Sequence, residues 1–433
     1  MERGTRADVP HSPHWTYEDG ALRCDDVALD AVAERFGTPT YVYSTKAIDQ
    51  AYDEIAAAVA SPCLIAYAIK ANSNLSLLRR LAERGCGADI VSGGELARCM
   101  KAGMDPAKIV FSGVAKTDAE LVDALDAGIR AVHVESVPEI DALEAIARDR
   151  GQQASMTLRV NPDVDPKTHP YIATGLHDTK FGLELDVARG LLPRLLASPH
   201  LSLEGVACHV GSQLSSAEPM ADAVEILGGF AVECVKAGAT LRSIDAGGGF
   251  PIRYGDEDLD YAPWSDFGDA IAAGLRASGA DALNLELIVE PGRALVGDAG
   301  GLLTRVVFVK EQAGKRFVIV DAAMTELIRP ALYDAYHAIM SVRQTDVLET
   351  ADLVGPVCET GDFFAIDRPL PAFNRGDLVL IRGAGAYGMS MASQYNSRPF
   401  AAEIAIEGGD ARVIRRRQTF GDLWRDEETG DTA

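Results

Sequence analysis

The chain is short of basic residues, of paired cysteines and of long apolar runs, and each shortage excludes a class of protein. No run of 18 apolar residues occurs, so nothing reads as a transmembrane helix. Lys and Arg number 41 against 64 Asp and Glu, a formal net charge of -23. A nucleic-acid binder shows a basic patch or stripe; the one short basic run is Arg415-Arg416-Arg417, which reads as a solvated face. The acidic balance favours solubility and opposes binding to anionic membranes. The seven cysteines are odd in number and form no CxxC. A zinc ribbon and a secreted disulfide framework are therefore disfavoured, and a reducing cytoplasm fits best. The opening residues carry Asp8, Pro10, Pro13 and Glu18 with no apolar core, so no signal peptide is expected.

What is present is a rhythm. At 433 residues the chain exceeds what one core usually holds, so two domains are expected. From residue 64 onward, apolar strand-like runs alternate with amphipathic helical spacing. The strands are expected at Leu64–Ile69, Ala88–Val91, Lys108–Phe111, Ala131–Val134, Met156–Val160, Leu203–Ala207, Leu241–Ala246 and Leu285–Val289. Strand–helix alternation implies parallel strands with helices outside, and eight repeats imply a (β/α)8 TIM-type barrel. An open doubly wound sheet is the alternative, but the Gly-rich turn expected after its first strand is absent. Beyond residue 300 the helices give way to strands and turns: Val306–Val309, Phe317–Val320, Asp377–Ile381 and Ala402–Ile406. The reading is an α/β chain with a barrel over residues 45–300 and a mostly β domain over 1–44 and 301–433. Tyr41–Tyr43 joins the latter because it precedes the barrel rhythm.

Polar groups fall where barrel strands end, which is where such barrels keep their chemistry. Lys70 follows the first strand in Tyr67-Ala68-Ile69-Lys70-Ala71-Asn72. The plain reading is a surface lysine. A lysine in a barrel mouth is instead expected to be desolvated and nucleophilic, suited to a Schiff base with an aldehyde. Gly247-Gly248-Gly249-Phe250 follows the seventh strand, where backbone amides can approach a phosphate, although a flexible turn accounts for it equally well. Glu290-Pro291-Gly292-Arg293 follows the eighth strand and could pair with a protonated ring nitrogen. His209-Val210-Gly211-Ser212 follows the sixth; a lone histidine is more often structural, but this one lies at the mouth. The long segments Asn161 to Leu183 and Gly247 to Pro263 also follow barrel strands.

These stretches occur in order with Gly87-Ala88-Asp89-Ile90-Val91-Ser92-Gly93-Gly94-Glu95, Arg329-Pro330-Ala331-Leu332-Tyr333, Cys358-Glu359 and Gly385-Ala386-Tyr387-Gly388. Together, from Trp15 to Phe420, the sequence resembles the fold-type III pyridoxal-phosphate decarboxylases, and within them the members that act on diaminopimelate. The resemblance implies a role for each matching residue. Lys70 would hold pyridoxal 5'-phosphate, with Asp89 in the cofactor site. His209 would stack on the pyridine ring, and Glu290 would pair with its nitrogen. Ser212, Gly248, Gly249, Gly292, Arg293 and Tyr387 would hold the phosphate and its surroundings. Cys358, supplied by the partner subunit of a homodimer with shared active sites, would return a proton after carbon dioxide leaves.

At the far end of diaminopimelate, Arg293, Arg329, Tyr333 and Tyr387 would contact the substrate, and Glu359 would take the distal ammonium. Arginine suits a bidentate carboxylate; the plain reading of Arg329 is a surface ion pair. The implied reaction is decarboxylation of meso-2,6-diaminopimelate to L-lysine, the last step of lysine synthesis, in the cytoplasm. The competing readings are a paralogue acting on a modified or related amino acid in a siderophore, antibiotic or polyamine pathway, an alanine racemase, and a pyridoxal-phosphate-binding protein without catalysis. The Cys358-Glu359 pattern and the length of the chain weigh against the racemase, and Cys358 with the β domain against the binding protein. Segments 163–180 and 253–261 are where a change of substrate would be tuned.

Overall fold

The computed structural model describes residues 12–60, 62–165, 180–255 and 260–427, so the segments expected to tune the substrate lie partly outside the described residues. The chain forms two compact units, one of Tyr52–Pro251 with Asp260–Ala294, the other of Met1–Ala51, Ile252–Leu259 and Leu295–Ala433.

The first unit is a closed parallel barrel. Its strands are Cys63–Ala68, Gly87–Ile90, Ile109–Phe111, Ala131–Val134, Ala154–Arg159, Leu201–Ala207, Ser243–Asp245 and Glu286–Val289, and the last pairs with the first. All eight expected strands are present. Leu64, Ala66, Val110 and Ile288 pack together as one buried cluster. Because side chains alternate across a strand, the residues two beyond Val110 and Ile288, Ser112 and Glu290, continue on the same side at the C-terminal ends. Ser92, Thr117 and Ser136 start the helices after the second, third and fourth strands, each side chain accepting a backbone N–H of the first turn. Thr117 and Glu120 complete a capping box, which fixes where that helix starts.

The second unit is mostly β. The long strand Gly300–Gln312 pairs antiparallel with Thr40–Ser44, Lys315–Val320 and Leu378–Ile381. Thr40–Ser44 also pairs in parallel with Ala402–Glu407, so the early strand joins this sheet as its sequence position implies. Trp15, Leu22, Leu29, Val42, Leu303, Leu380 and Ile404 are among the buried residues of its core.

Several strands here exceed the expectation. Trp15–Glu18, Ala21–Cys24 and Val27–Ala28 form a small separate sheet, each strand too short to show a period. Leu348–Val354 and Phe363–Pro371 pair through register shifts, and the second contains Pro369 and a positive-φ Asp367, both of which mask a strand pattern.

Candidate active site

The barrel mouth is built by short turns that leave strand ends. After Ala68 the chain makes one 3-10 turn, Ile69–Ala71, closed by the Tyr67 hydroxyl donating to the Asn72 carbonyl at 2.9 Å. That turn carries Lys70, whose ammonium meets Asp89 Oδ2. The carboxylate is fully buried, whereas the Lys70 side chain is 39% exposed. The expected dry lysine is thus replaced by one seated on a buried anion and open to the mouth. Burial alone would push Asp89 up; the charge and hydrogen bond of Lys70 reverse that and hold it below the usual carboxylate range.

The seventh strand ends at Asp245, and the triple-glycine turn follows. Gly247 and Gly249 have φ of 72° and 108°, and a Cβ on Gly248 would stand 2.5 Å from the Glu290 carbonyl oxygen. No side chain fits, so backbone amides line this turn. Two of them are engaged. Gly247 N–H donates to Asp245 Oδ1 at 2.8 Å, and Gly248 N–H donates to His209 Nδ1 at 3.0 Å. The second bond fixes the tautomer: Nδ1 accepts, so the hydrogen of the neutral ring lies on Nε2. Burial pushes His209 down to about 3, so the ring is neutral near pH 7. The expectation that the Gly248 amide holds phosphate meets this competing bond, so Gly248 positions the histidine.

Glu290 follows the eighth strand, and its pKa is pushed well above the usual range by burial and by the charges of Asp245 and Asp89. Gly292 passes within about one side-chain layer of the Lys70 turn: a Cβ there would lie 3.0 Å from Ala68 Cβ and 3.2 Å from Ala71 Cβ. Arg293 is buried and donates to Ser212 Oγ at 3.1 Å. Lys70, Asp89, His209, Ser212, Gly248, Gly249, Glu290, Gly292 and Arg293 therefore all belong to the barrel's C-terminal end.

The sequence reading missed three groups here. His133 lies 3.9 Å from both Asp245 Oδ2 and Glu290 Oε1. Burial pushes it down to about 3, so it too is neutral. Asp245 is raised by burial to about 7. Arg159 pairs with Glu135 at 2.9 Å. For Asp245 and Arg159 a signal was available, a charged side chain closing a barrel strand.

The β unit holds the remaining candidates. Cys358 and Glu359 are exposed, which excludes a buried inert thiol. Their loop hangs on Asp362, a buried side chain that accepts the Val357 N–H at 2.7 Å and the Met324 N–H at 2.6 Å. Cys358 N–H donates to Asn396 Oδ1 at 3.0 Å. Tyr387 has φ of 55°, an uncommon backbone for a tyrosine that marks a constrained site. Arg329 and Tyr333 open and close the five-residue helix Arg329–Tyr333, four apart and hence on one face.

Arg329 is buried, not a surface ion pair. Its guanidinium lies 4.6 Å from the centre of the Tyr254 ring and donates to His337 Nε2 at 2.8 Å. His337 Nδ1 donates in turn to the Arg382 carbonyl at 2.8 Å. A carbonyl only accepts and a guanidinium only donates, so His337 carries its hydrogen on Nδ1.

Residues 45–297 match a family model described as pyridoxal-dependent decarboxylase, pyridoxal binding domain. The chain is 49% identical over 402 residues to a diaminopimelate decarboxylase of Neisseria meningitidis serogroup A, covering 92% of this chain and 97% of that one. It is 48% identical over 415 residues to the diaminopimelate decarboxylase of Pseudomonas aeruginosa, covering 95% and 98%. Among solved structures, diaminopimelate decarboxylase from Helicobacter pylori complexed with L-lysine is 42% identical with a TM-score of 0.88, covering 93% of this chain and 100% of that one.

Proposed function

Because the chain belongs to the pyridoxal-dependent decarboxylases, we infer that it converts meso-2,6-diaminopimelate to L-lysine and carbon dioxide, the closing step of lysine biosynthesis. The observation that carries the substrate is similarity to diaminopimelate decarboxylases along nearly the whole chain, β unit included. That extent weighs against a binding protein without catalysis.

The barrel mouth fits pyridoxal 5'-phosphate. It offers the Lys70 amine, a glycine turn with no room for side chains, and buried polar atoms, Asp245 Oδ2 and His133 Nε2, that have no hydrogen-bond partner among the described residues. Lys70 would hold the aldehyde carbon, Glu290 the ring nitrogen, and neutral His209 the ring face. Ser212, Gly249, Arg293 and Tyr387 would take the phosphate and its surroundings, with Gly292 allowing the close approach. When bound, the cofactor supplies an electron sink for the pair left by the departing carboxylate.

The protein's own groups do the rest. A neutral His209 adds no positive charge that would compete with Glu290 for the ring. Arg293, Arg329, Tyr333 and Tyr387 bind the substrate's distal end, and Glu359 takes the distal ammonium. Cys358 Sγ returns a proton to the carbon that lost carbon dioxide, as general acid. Cys358 and Glu359 act in the barrel of the partner subunit, so the working unit is a homodimer with shared sites; their exposure supports this assignment. The seven free cysteines suit a reducing cytoplasm. Among the described residues no helix is long and apolar enough to cross a membrane.

The test is lysine and carbon dioxide formation from meso-diaminopimelate by the purified protein with pyridoxal 5'-phosphate, with L-lysine, L-ornithine and L-arginine in parallel. Turnover of diaminopimelate alone is expected. A folded, yellow protein inactive on it but active on another amino acid overturns the substrate.

A further inference from the structure

Two carboxyl groups face each other inside the barrel mouth. Asp245 ends the seventh strand, and the register sets it beside Ile288, two residues before Glu290. One carboxylate oxygen of Asp245 and one of Glu290 lie within 4.8 Å of each other, with a ring nitrogen of His133 within the same distance of both. An ionised carboxylate only accepts, so a bond between two carboxyl groups requires a proton on one of them. Oδ1 of Asp245 already accepts the Gly247 N–H. Oδ2 is buried and has no donor among the described residues. The nearest imidazole nitrogen, His133 Nε2, is 3.9 Å away, too far for a direct bond.

The charges around the pair favour keeping that proton. Lys70 is engaged by Asp89 and Arg159 by Glu135, so among the described residues the pair has no cation dedicated to it. Asp89 adds further negative charge, while His133 and His209 are neutral. Burial raises both Asp245 and Glu290. These surroundings disfavour a second negative charge on the pair, and a single one would match one ring cation.

We propose that in the loaded enzyme Asp245 is a neutral acid whose Oδ2–H donates to Glu290, so that Glu290 meets the ring nitrogen as a carboxylate. This rests on the reading that Glu290 faces that nitrogen. A cation beside Glu290 favours the negative charge there and leaves the shared proton on Asp245. Asp245 is then a positioning residue: Oδ1 grips the glycine turn, Oδ2–H fixes the Glu290 carboxylate, and no second buried anion forms.

The proposal makes asparagine, not alanine, the faithful substitute. A carboxamide at 245 accepts from Gly247 through Oδ1 and donates to Glu290 through Nδ2, as a neutral acid does. The experiment titrates pyridoxal 5'-phosphate into wild-type protein and the D245N, D245A and E290Q variants from about pH 6 to about pH 9, following the cofactor's absorbance. D245N should bind within about threefold of wild type with the same pH dependence, and D245A about tenfold or more weaker, the usual effect of leaving a buried acceptor unsatisfied. The infrared difference between loaded wild type and D245N should contain a protonated-carboxyl band present only in wild type.

D245N weakened as much as D245A, D245A unchanged, or no such band means that Asp245 is ionised or idle, and the inference is wrong. E290Q separates the two ideas. If it binds and absorbs like wild type, the reading of Glu290 itself has failed; if it is impaired while D245N departs from wild type, only the Asp245 inference falls. Should D245A not fold, D245N and the infrared band still decide.

Discussion

Lys70 lies on the turn that leaves the first barrel strand and Asp89 on the second strand, and the register that pairs Ala68 with Asp89 brings the ammonium onto a fully buried carboxylate. Asp89 is therefore a fixed anion under a lysine whose side chain stays open to the mouth. Lys70→Ala should abolish turnover and the absorbance of the bound cofactor. Asp89→Asn should keep the lysine but lose a charge-assisted bond, about 1.5–3 kcal/mol, and weaken cofactor binding about tenfold or more. Spectrophotometric titration measures both; full binding by the Lys70 variant would remove that residue from the mechanism.

If Cys358 works in the partner's barrel, two dead variants should rescue each other. Lys70→Ala and Cys358→Ala proteins, mixed after dissociation and reassociation, form hybrids with one intact site, and about a quarter of wild-type activity should return for random pairing. Cys358→Ala alone should bind cofactor normally and turn over slowly. No recovery in a mixture shown by sedimentation to contain exchanged dimers would place both residues in one subunit.

The Arg329–His337 contact predicts where substrate affinity is set. Arg329→Ala should cost diaminopimelate about 2–5 kcal/mol in kcat/KM, the usual effect of losing one partner of a buried charge pair. Any slow turnover of L-lysine, which lacks the distal carboxylate, should fall far less. His337→Ala removes the acceptor that holds the guanidinium at 2.8 Å and should raise KM with kcat little changed. Steady-state kinetics on both substrates decide; equal losses on both undo the role given to Arg329.

Most of the barrel was legible because each strand is a compact apolar run set between helical spacings, and Lys70, His209 and Glu290 sit directly after such runs. His133 was not, because it lies inside its strand and reads as an interruption until the barrel closes and sets it 3.9 Å from Asp245. His337 gave no signal either: its role depends on Arg382, 45 positions away in the chain. The strand Phe363–Pro371 was hidden by its own prolines and by the positive φ of Asp367. Local pattern carried the elements; contacts distant in sequence carried the polar network.

The pH dependence of stability follows from Glu95, on the helix after the second strand. Burial pushes its carboxyl up to about 7, although it accepts the Val91 N–H at 2.8 Å. The folded state therefore binds a proton more tightly than the unfolded chain, whose carboxyl has the ordinary value of 4.5. Stability from this group is complete below about pH 4.5 and is lost as pH rises through about 7. The buried His133 and His209, each held down to about 3, act in the opposite sense and have given their full contribution once pH exceeds about 6.5. Glu95 therefore loses its contribution mainly between about pH 4.5 and about pH 7, over much of which these histidines gain theirs, so only a variant that cannot ionise at 95 isolates the carboxyl effect. Raising the pH from about 6.5 to about 8 should therefore lower the Tm of the cofactor-free wild type relative to that of Glu95→Gln, which keeps the acceptor for Val91 but cannot ionise. Calorimetry on both proteins at the two pH values tests this; the same change in Tm for wild type and variant would show that Glu95 is already ionised in the folded barrel.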